Sequence, residues 1–184
     1  MDDFEVRQAR ADEQHVVANL MELYLHDLSE FWDEDIGPDG RFGYALDAYW
    51  QLPTHVPFIF SFHGQYAGFA LVNDDVCRPP NDRWMAQFFF ARRWRRRGLA
   101  GRAACAVFDA LPGRWEVGQI PLNLPAQAFW RKVIGQYTSG AYTEPEGDQE
   151  AWDGPMQCFD NRSRPSAQPP ALREIGRASC RERV

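Results

Sequence analysis

Five of the six residues from Arg92 to Arg97 are arginine, and they run straight into Gly98-Leu99-Ala100-Gly101. Before them stands an apolar aromatic run, residues 85–91, of buried-strand length and composition. After them, Leu99, Ala103, Ala104, Val107, Phe108 and Leu111 fall on one face at helical spacing. Strand, glycine-bearing turn and helix start together make an anion site. The first amides of a helix lack an intrahelical acceptor, and the helix dipole adds partial positive charge there. A phosphate can accept from several of these amides at once. Gly98, Ala100 and Gly101 keep bulk away from that backbone, so an anion can approach closely.

The overall charge narrows what the anion can be. The chain has 184 residues and a formal net charge of -6, so it is not built as a general polyanion binder. An arginine cluster on an acidic protein points to a local anion site. A solvated basic turn or a nucleic-acid patch is the competing explanation of the same residues. Hydrophobic content of 45% and aromatic content of 14% suit one soluble globular domain. No apolar run reaches membrane-spanning length, and the start, Met1-Asp2-Asp3, is acidic, unlike a secretory signal. Cys77, Cys105, Cys158 and Cys180 show neither metal-type nor paired spacing, which fits thiols in a reducing cytoplasm.

The elements that must carry the turn follow from periodicity and breakers. A short strand is expected over 4–7. Asp12 is the expected N-cap of a long helix reaching about residue 30, with Val16, Val17, Leu20, Leu23, Tyr24 and Leu28 inward. An acidic loop over 31–42 is followed by a short aromatic helix over 44–50. Strands over 58–62 and 66–72 flank His63-Gly64-Gln65, a hairpin signal. The glycine-arginine unit comes next, then a strand over 114–120 and a helix over 126–134. Closing strands are expected over 137–144 and 156–160. The sum is an α/β chain whose mixed sheet of about seven strands has helices on both faces.

The six-residue pattern Arg95-x-x-Gly98-x-Ala100 resembles Gln/Arg-x-x-Gly-x-Gly/Ala, the acetyl-CoA pyrophosphate loop of the GNAT (general N-acetyltransferase) superfamily. It matches neither the G-x-G-x-x-G fingerprint nor a Walker loop. A second motif, Asn123-x-x-Ala126-x-x-Phe129-Trp130, is similar to the family's Asn-x-x-Ala-x-x-Phe/Leu-Tyr helix. The element order is the family's order too. The resemblance covers roughly residues 4–160 and identifies 1–160 as an N-acetyltransferase domain.

That resemblance implies transfer of an acetyl group from acetyl-CoA to an amine. It implies that the backbone of Phe88, Phe89 and Phe90 binds the pantetheine arm as an added strand. Arg95, Arg96, Arg97, Gly98, Leu99, Ala100 and Gly101 would hold the diphosphate, with Asn123 and Phe129 along the arm. It further implies a gap between the fourth and fifth strands for the thioester. An alkylammonium acceptor has a pKa near ~10 and must lose a proton before attack. The family's fourth-strand carboxylate is Gln87 here, which leaves Glu116 on the fifth strand as the expected base. The family's acid, the Tyr of the helix motif, is Trp130 here, so either the thiolate leaves unassisted or the acid comes from elsewhere, with Tyr137 and Tyr142 as the substitutes. These departures keep a second reading open, an acetyl-CoA-binding sensor with weak turnover. The acidic loop 33–39, near Trp32, Phe42, Tyr44 and Trp50, suits a cationic small-molecule or peptide amine. No metal, nucleic acid or membrane partner is expected, and a homodimer stays open.

Residues 161–173 carry Pro165, Pro169 and Pro170 among Ser and Gln and read as a disordered tail. Residues 174–184 can be back-translated into a stretch resembling a common short-read sequencing adapter. They are expected to lie outside the fold.

Overall fold

A computed structural model describes residues 3–145 and 152–163. Its frame is a six-stranded sheet with neighbours in the order β1-β2-β3-β4-β5-β6. The strands are β1 (Phe4–Gln8), β2 (Val56–Phe62), β3 (Gln65–Asn73), β4 (Arg83–Phe90), β5 (Arg114–Gly118) and β6 (Met156–Asp160). Neighbours are antiparallel except β4 and β5, which are parallel. A parallel step requires a crossover, and helix α3 (Leu99–Ala110) supplies it. The other helices are α1 (Gln14–Leu28), α2 (Ala48–Gln51) and α4 (Leu124–Thr138).

Both faces of the sheet are covered. On one, Val17 and Met21 of α1 and Tyr49 of α2 pack against Ile59, Phe69, Leu71 and Phe89. On the other, Val107 and Phe108 of α3 and Val133 and Ile134 of α4 pack against Phe58, Phe60, Ala70, Phe90 and Trp115. Phe89 and Phe90 point into opposite cores, which is why the stretch reads as one continuous apolar run.

Two irregularities shape the centre. β4 and β5 pair only through Arg83 with Trp115 and Trp84 with Glu116, then diverge. On the other edge of β4, Leu71 faces Gln87 while Val72 faces Met85, so Ala86 is an extra, bulged residue. A bulge bends its strand and increases the local twist. This one lies just past the last contact with β5, where the two strands separate.

Several boundaries differ from expectation. Six strands, not about seven, occur among the described residues. The strand expected over 137–144 is absent because α4 continues to Thr138. Trp130, Val133, Ile134 and Tyr137 are buried at helical spacing, and that packing overrides the β preference of Tyr. The chain then turns through Ser139 (φ 55) and Gly140 (φ 84), and only a bridge between Thr143 and Cys158 remains. The aromatic helix expected over 44–50 shrinks to one turn, Ala48–Gln51. Asp12 does not cap α1; a 3-10 turn, Ala11–Glu13, precedes it. There Glu13 is buried and takes two hydrogen bonds of 2.7 Å from the Arg7 guanidinium. The disordered-tail expectation lies outside the described residues, apart from Asn161, Arg162 and Ser163.

Candidate active site

The turn leading into α3 has two residues in the left-handed region, Arg96 (φ 61) and Gly98 (φ 74). Gly98 is the N-cap of α3, with no side chain to cap the first turn. The amides opening the helix have no intrahelical acceptor and meet no capping oxygen from the N-cap residue. A Cβ on Gly98 would meet nothing within 4 Å, so backbone conformation rather than space requires glycine there. Gly101 has a different task. A Cβ there would lie 3.5 Å from a Val133 methyl, so Gly101 sits at the contact of α3 with α4.

The arginines divide by partner. Arg92 and Arg95 both donate to the Asp27 carboxylate near the end of α1. Arg95 also donates through Nε to the Phe90 carbonyl at 2.7 Å. Burial opposes ionisation of Asp27, but hydrogen bonds from Arg95 and Arg92 outweigh it and hold the carboxyl below the usual range. Arg93 and Arg97 stack over Trp94 at 4.8 and 5.3 Å. Arg95, expected on the diphosphate, instead ties the turn to α1 and to the end of β4. The exposed turn residues Arg96 and Gly98 flank the opening of α3.

Between the diverging strands lies a cleft of about 360 Å³, a size suited to a small ligand or a ligand arm. β4 lines it from Trp84 to Phe88 and β5 through Val117 and Gly118 at its carboxyl end. Phe88 borders it and packs on Phe129 and Trp130 of α4, with ring centroids 5.9 and 5.0 Å away. Phe89 and Phe90 are buried on opposite faces, so only their backbone can serve a ligand. Asn123 borders the cleft too, but its side-chain oxygen accepts from the Ala126 amide at 3.1 Å and caps α4. Trp130 forms part of the wall, 6% exposed.

Neither expected proton-transfer group faces this cleft. Glu116 is fully buried and its carboxylate accepts from the amides of Cys77 and Arg78 and from Asn81 Nδ2, at 2.7–2.8 Å. It orders the loop between β3 and β4. The Tyr137 hydroxyl, near the far end of α4, donates to Asp109 at 2.7 Å and accepts from Asn161. Both assignments are corrected: side-chain direction on β5 and the extra turns of α4 carry these groups elsewhere. Gln87 does line the cleft, as does a carboxylate not singled out from the sequence, Asp75. Asp75 accepts from Asn73 Nδ2 at 2.8 Å, and its amide donates back to Asn73 Oδ1 at 3.2 Å. Tyr24, Trp32, Tyr44 and Trp84 form aromatic walls nearby. Of the acidic loop's neighbours, Trp32 and Tyr44 reach the cleft. Two polar atoms at its border are buried without a partner among the described residues: Gln119 Oε1 and Trp152 Nε1.

The comparisons agree with this architecture. Residues 17–135 match the model of the Acetyltransferase (GNAT) family, so the chain belongs to that family. It is an acyltransferase, and its donor is acetyl-CoA. No curated protein matches the sequence. Among solved structures, Mycobacterium smegmatis RimJ in complex with CoA-disulfide is 18% identical, with a TM-score of 0.60 over 88% of this chain and 84% of that one. The ribosomal-protein-S5-alanine acetyltransferase of Vibrio fischeri is 15% identical, with a TM-score of 0.61 over 89% and 96%. The spermidine N-acetyltransferase of Vibrio cholerae, with CoA and spermine, is 12% identical, with a TM-score of 0.53 over 86% and 95%. At these identities the likeness is one of fold. Among the described residues no helix is long and apolar enough to cross a membrane.

Proposed function

We propose that this protein moves the acetyl group of acetyl-CoA onto a primary amine of a small, cationic acceptor. The observation that carries this is the cleft where β4 and β5 part, bordered by Asp75, on a strand that runs on through the turn into the uncapped start of α3. In this reading the diphosphate lies on the first turn of α3, and the arm follows the unpaired edge of β4. The amide of a β4 residue polarises the thioester carbonyl, a modest oxyanion hole. Holding both reactants in one cleft supplies the larger part of the acceleration.

The acceptor enters from the α1 side. Tyr24, Trp32, Tyr44 and Trp84 offer aromatic faces to a cation, and Asp75 offers the opposite charge. Asp75 pairs with the ammonium, which gives up one proton to water; the free amine attacks the carbonyl carbon, the C–S bond breaks, and the nitrogen's second proton passes to the departing thiolate or to water, leaving the amide and CoA. Gln87 and Trp130 have no group that titrates near neutral pH, which favours thiolate departure without side-chain assistance. They are also what a sensor with weak turnover would keep.

A free-thiol release assay with acetyl-CoA over a panel of polyamines, amino sugars and peptide N-termini tests the proposal. The expected result is release dependent on one class of small amine. Acetyl-CoA binding with no release for any amine overturns the enzyme reading in favour of the sensor. Asp75→Asn is expected to raise the acceptor KM about tenfold with little change in acetyl-CoA affinity.

A further inference from the structure

A hydrogen-bonded chain of side chains runs from the surface to the cleft and ends on an atom with no partner. It starts at Arg131, whose Nε donates to Glu144 Oε1 at 2.8 Å. The same oxygen accepts from Gln157 Nε2 at 2.8 Å. Gln157 is fully buried, and its Oε1 accepts from Gln119 Nε2 at 2.8 Å. Gln119 Nε2 donates its other proton to the Val117 carbonyl at 2.6 Å. Gln119 is 3% exposed, it borders the cleft, and its Oε1 has no partner among the described residues.

The network fixes which way the Gln119 amide points. Turning it over would set its oxygen against the Val117 carbonyl and the Gln157 oxygen, two repulsive contacts in place of two hydrogen bonds. The Gln157 amide is fixed in turn by Glu144, which can only accept while ionised. So an ion pair at the surface dictates that the buried, unpartnered atom of this cleft-bordering residue is an acceptor, never a donor. A buried carbonyl left unpaired costs free energy, and two buried amides plus an ion pair are arranged here to keep it so.

We propose that Gln119 is the positioning residue that registers the donor's arm: its Oε1 accepts a hydrogen bond from an amide N–H of the pantetheine chain. This rests on the reading above that acetyl-CoA lies between β4 and β5. The face of the sheet supplies the reason for choosing the arm over the acceptor amine. Val117 packs in the core formed by α3 and α4, and Gln119, just past the end of β5, donates back to the Val117 carbonyl. Of the cleft's other lining residues, Val117, Ala126 and Trp130 belong to that core, the one α3 packs in, whereas Tyr24 and Tyr44 belong to the core under α1, so a ligand whose diphosphate rests on the start of α3 takes the first side. Between diphosphate and thioester, that ligand is a flexible chain carrying two secondary amides, each an N–H donor. A neutral carboxamide cannot take a proton at neutral pH, so Gln119 holds the arm in register and takes no part in acid–base transfer.

The test is calorimetric titration of the full chain with two probes. One is CoA; the other is adenosine 3′-phosphate 5′-diphosphate, which has the nucleotide and diphosphate and lacks the arm. Gln119→Leu is expected to weaken CoA about tenfold and leave the nucleotide within about twofold. Glu144→Gln, at the surface end where folding is least at risk, is expected to weaken CoA about threefold with the nucleotide again unchanged. A structural role would move both ligands together, and that parallel loss overturns the proposal. So does wild-type CoA affinity in both variants. Wild-type protein that binds neither probe overturns the cofactor assignment itself, and this proposal with it.

Discussion

Gly98 was legible as a special residue because a left-handed N-cap restricts residue type locally, and local restrictions are written in sequence. The φ of 74° with open space beyond the α-carbon separates two effects that one substitution usually mixes. Gly98→Ala is expected to lower stability by about 1 kcal/mol through backbone strain, with CoA affinity retained; a denaturant titration and a binding isotherm check the two halves. Partners distant in sequence were not legible. Arg95 fits the diphosphate motif by position, yet its guanidinium reaches Asp27 and the Phe90 carbonyl. Glu116 was recognisable as a carboxylate on the right strand, but which face it takes depends on a loop whose amides it binds. Asp75 carried no signal, and only the fold brings it to the cleft.

At the level of elements, the cleft is a product of strand geometry. β5 pairs with β4 for two residues and then leaves it, and the bulge at Ala86 bends β4 on its other edge. Periodicity gave six of the strands in chain order, since alternation and apolar runs survive in sequence, and one more over 137–144 that is not there. It could not give the bulge or the splay, because both depend on register between strands far apart in the chain. The length of α4 was underestimated for a related reason: Tyr137 extends the helix's buried face, while its residue type favours a strand. Gly68 pins β3 against the carboxyl end of β4, where it faces Phe90. A Cβ there would lie 2.0 Å from the Phe89 carbonyl oxygen, which is backbone and cannot swing aside. Gly68→Ala is expected to cost about 3 kcal/mol, in the range of overpacked cores, and a melting curve reads it directly. The loop that brings Tyr44 to the cleft is held to α1 by Glu22, which accepts from the Phe42 amide at 2.8 Å. Glu22→Ala is expected to raise the acceptor KM several-fold while acetyl-CoA affinity stays, since the loop's lost anchor lies on the acceptor side; steady-state kinetics with each substrate varied separates the two.

For the whole molecule, the net charge of -6 and the arginine cluster are reconciled by where the guanidiniums go. Arg92 and Arg95 share the single carboxylate of Asp27, and Arg93 and Arg97 lie over Trp94 with their charges intact, so the turn is locally basic on an acidic protein. Acid sensitivity follows from a second internal pair. Hydrogen bonds from Arg7 outweigh burial and hold the Glu13 carboxyl down to about 2, from an ordinary 4.5. The fold thus favours the ionised form: the stabilisation is present in full above pH 4.5 and is lost as pH falls toward 2. Glu13→Gln is expected to lower stability at pH 7 by about 2 kcal/mol and to flatten the acid limb between those values, which urea unfolding at a series of pH values measures.

The claim on which the rest depends is that the uncapped start of α3 grips the diphosphate of acetyl-CoA. Its most direct test is the calorimetric affinity of acetyl-CoA for Gly98→Glu against Gly98→Ala, which share the backbone strain and differ in a charge set at the opening of the helix. The account predicts that the glutamate variant loses at least a hundredfold in affinity relative to the alanine variant at the same melting temperature. Equal affinity in the two folded variants would contradict it.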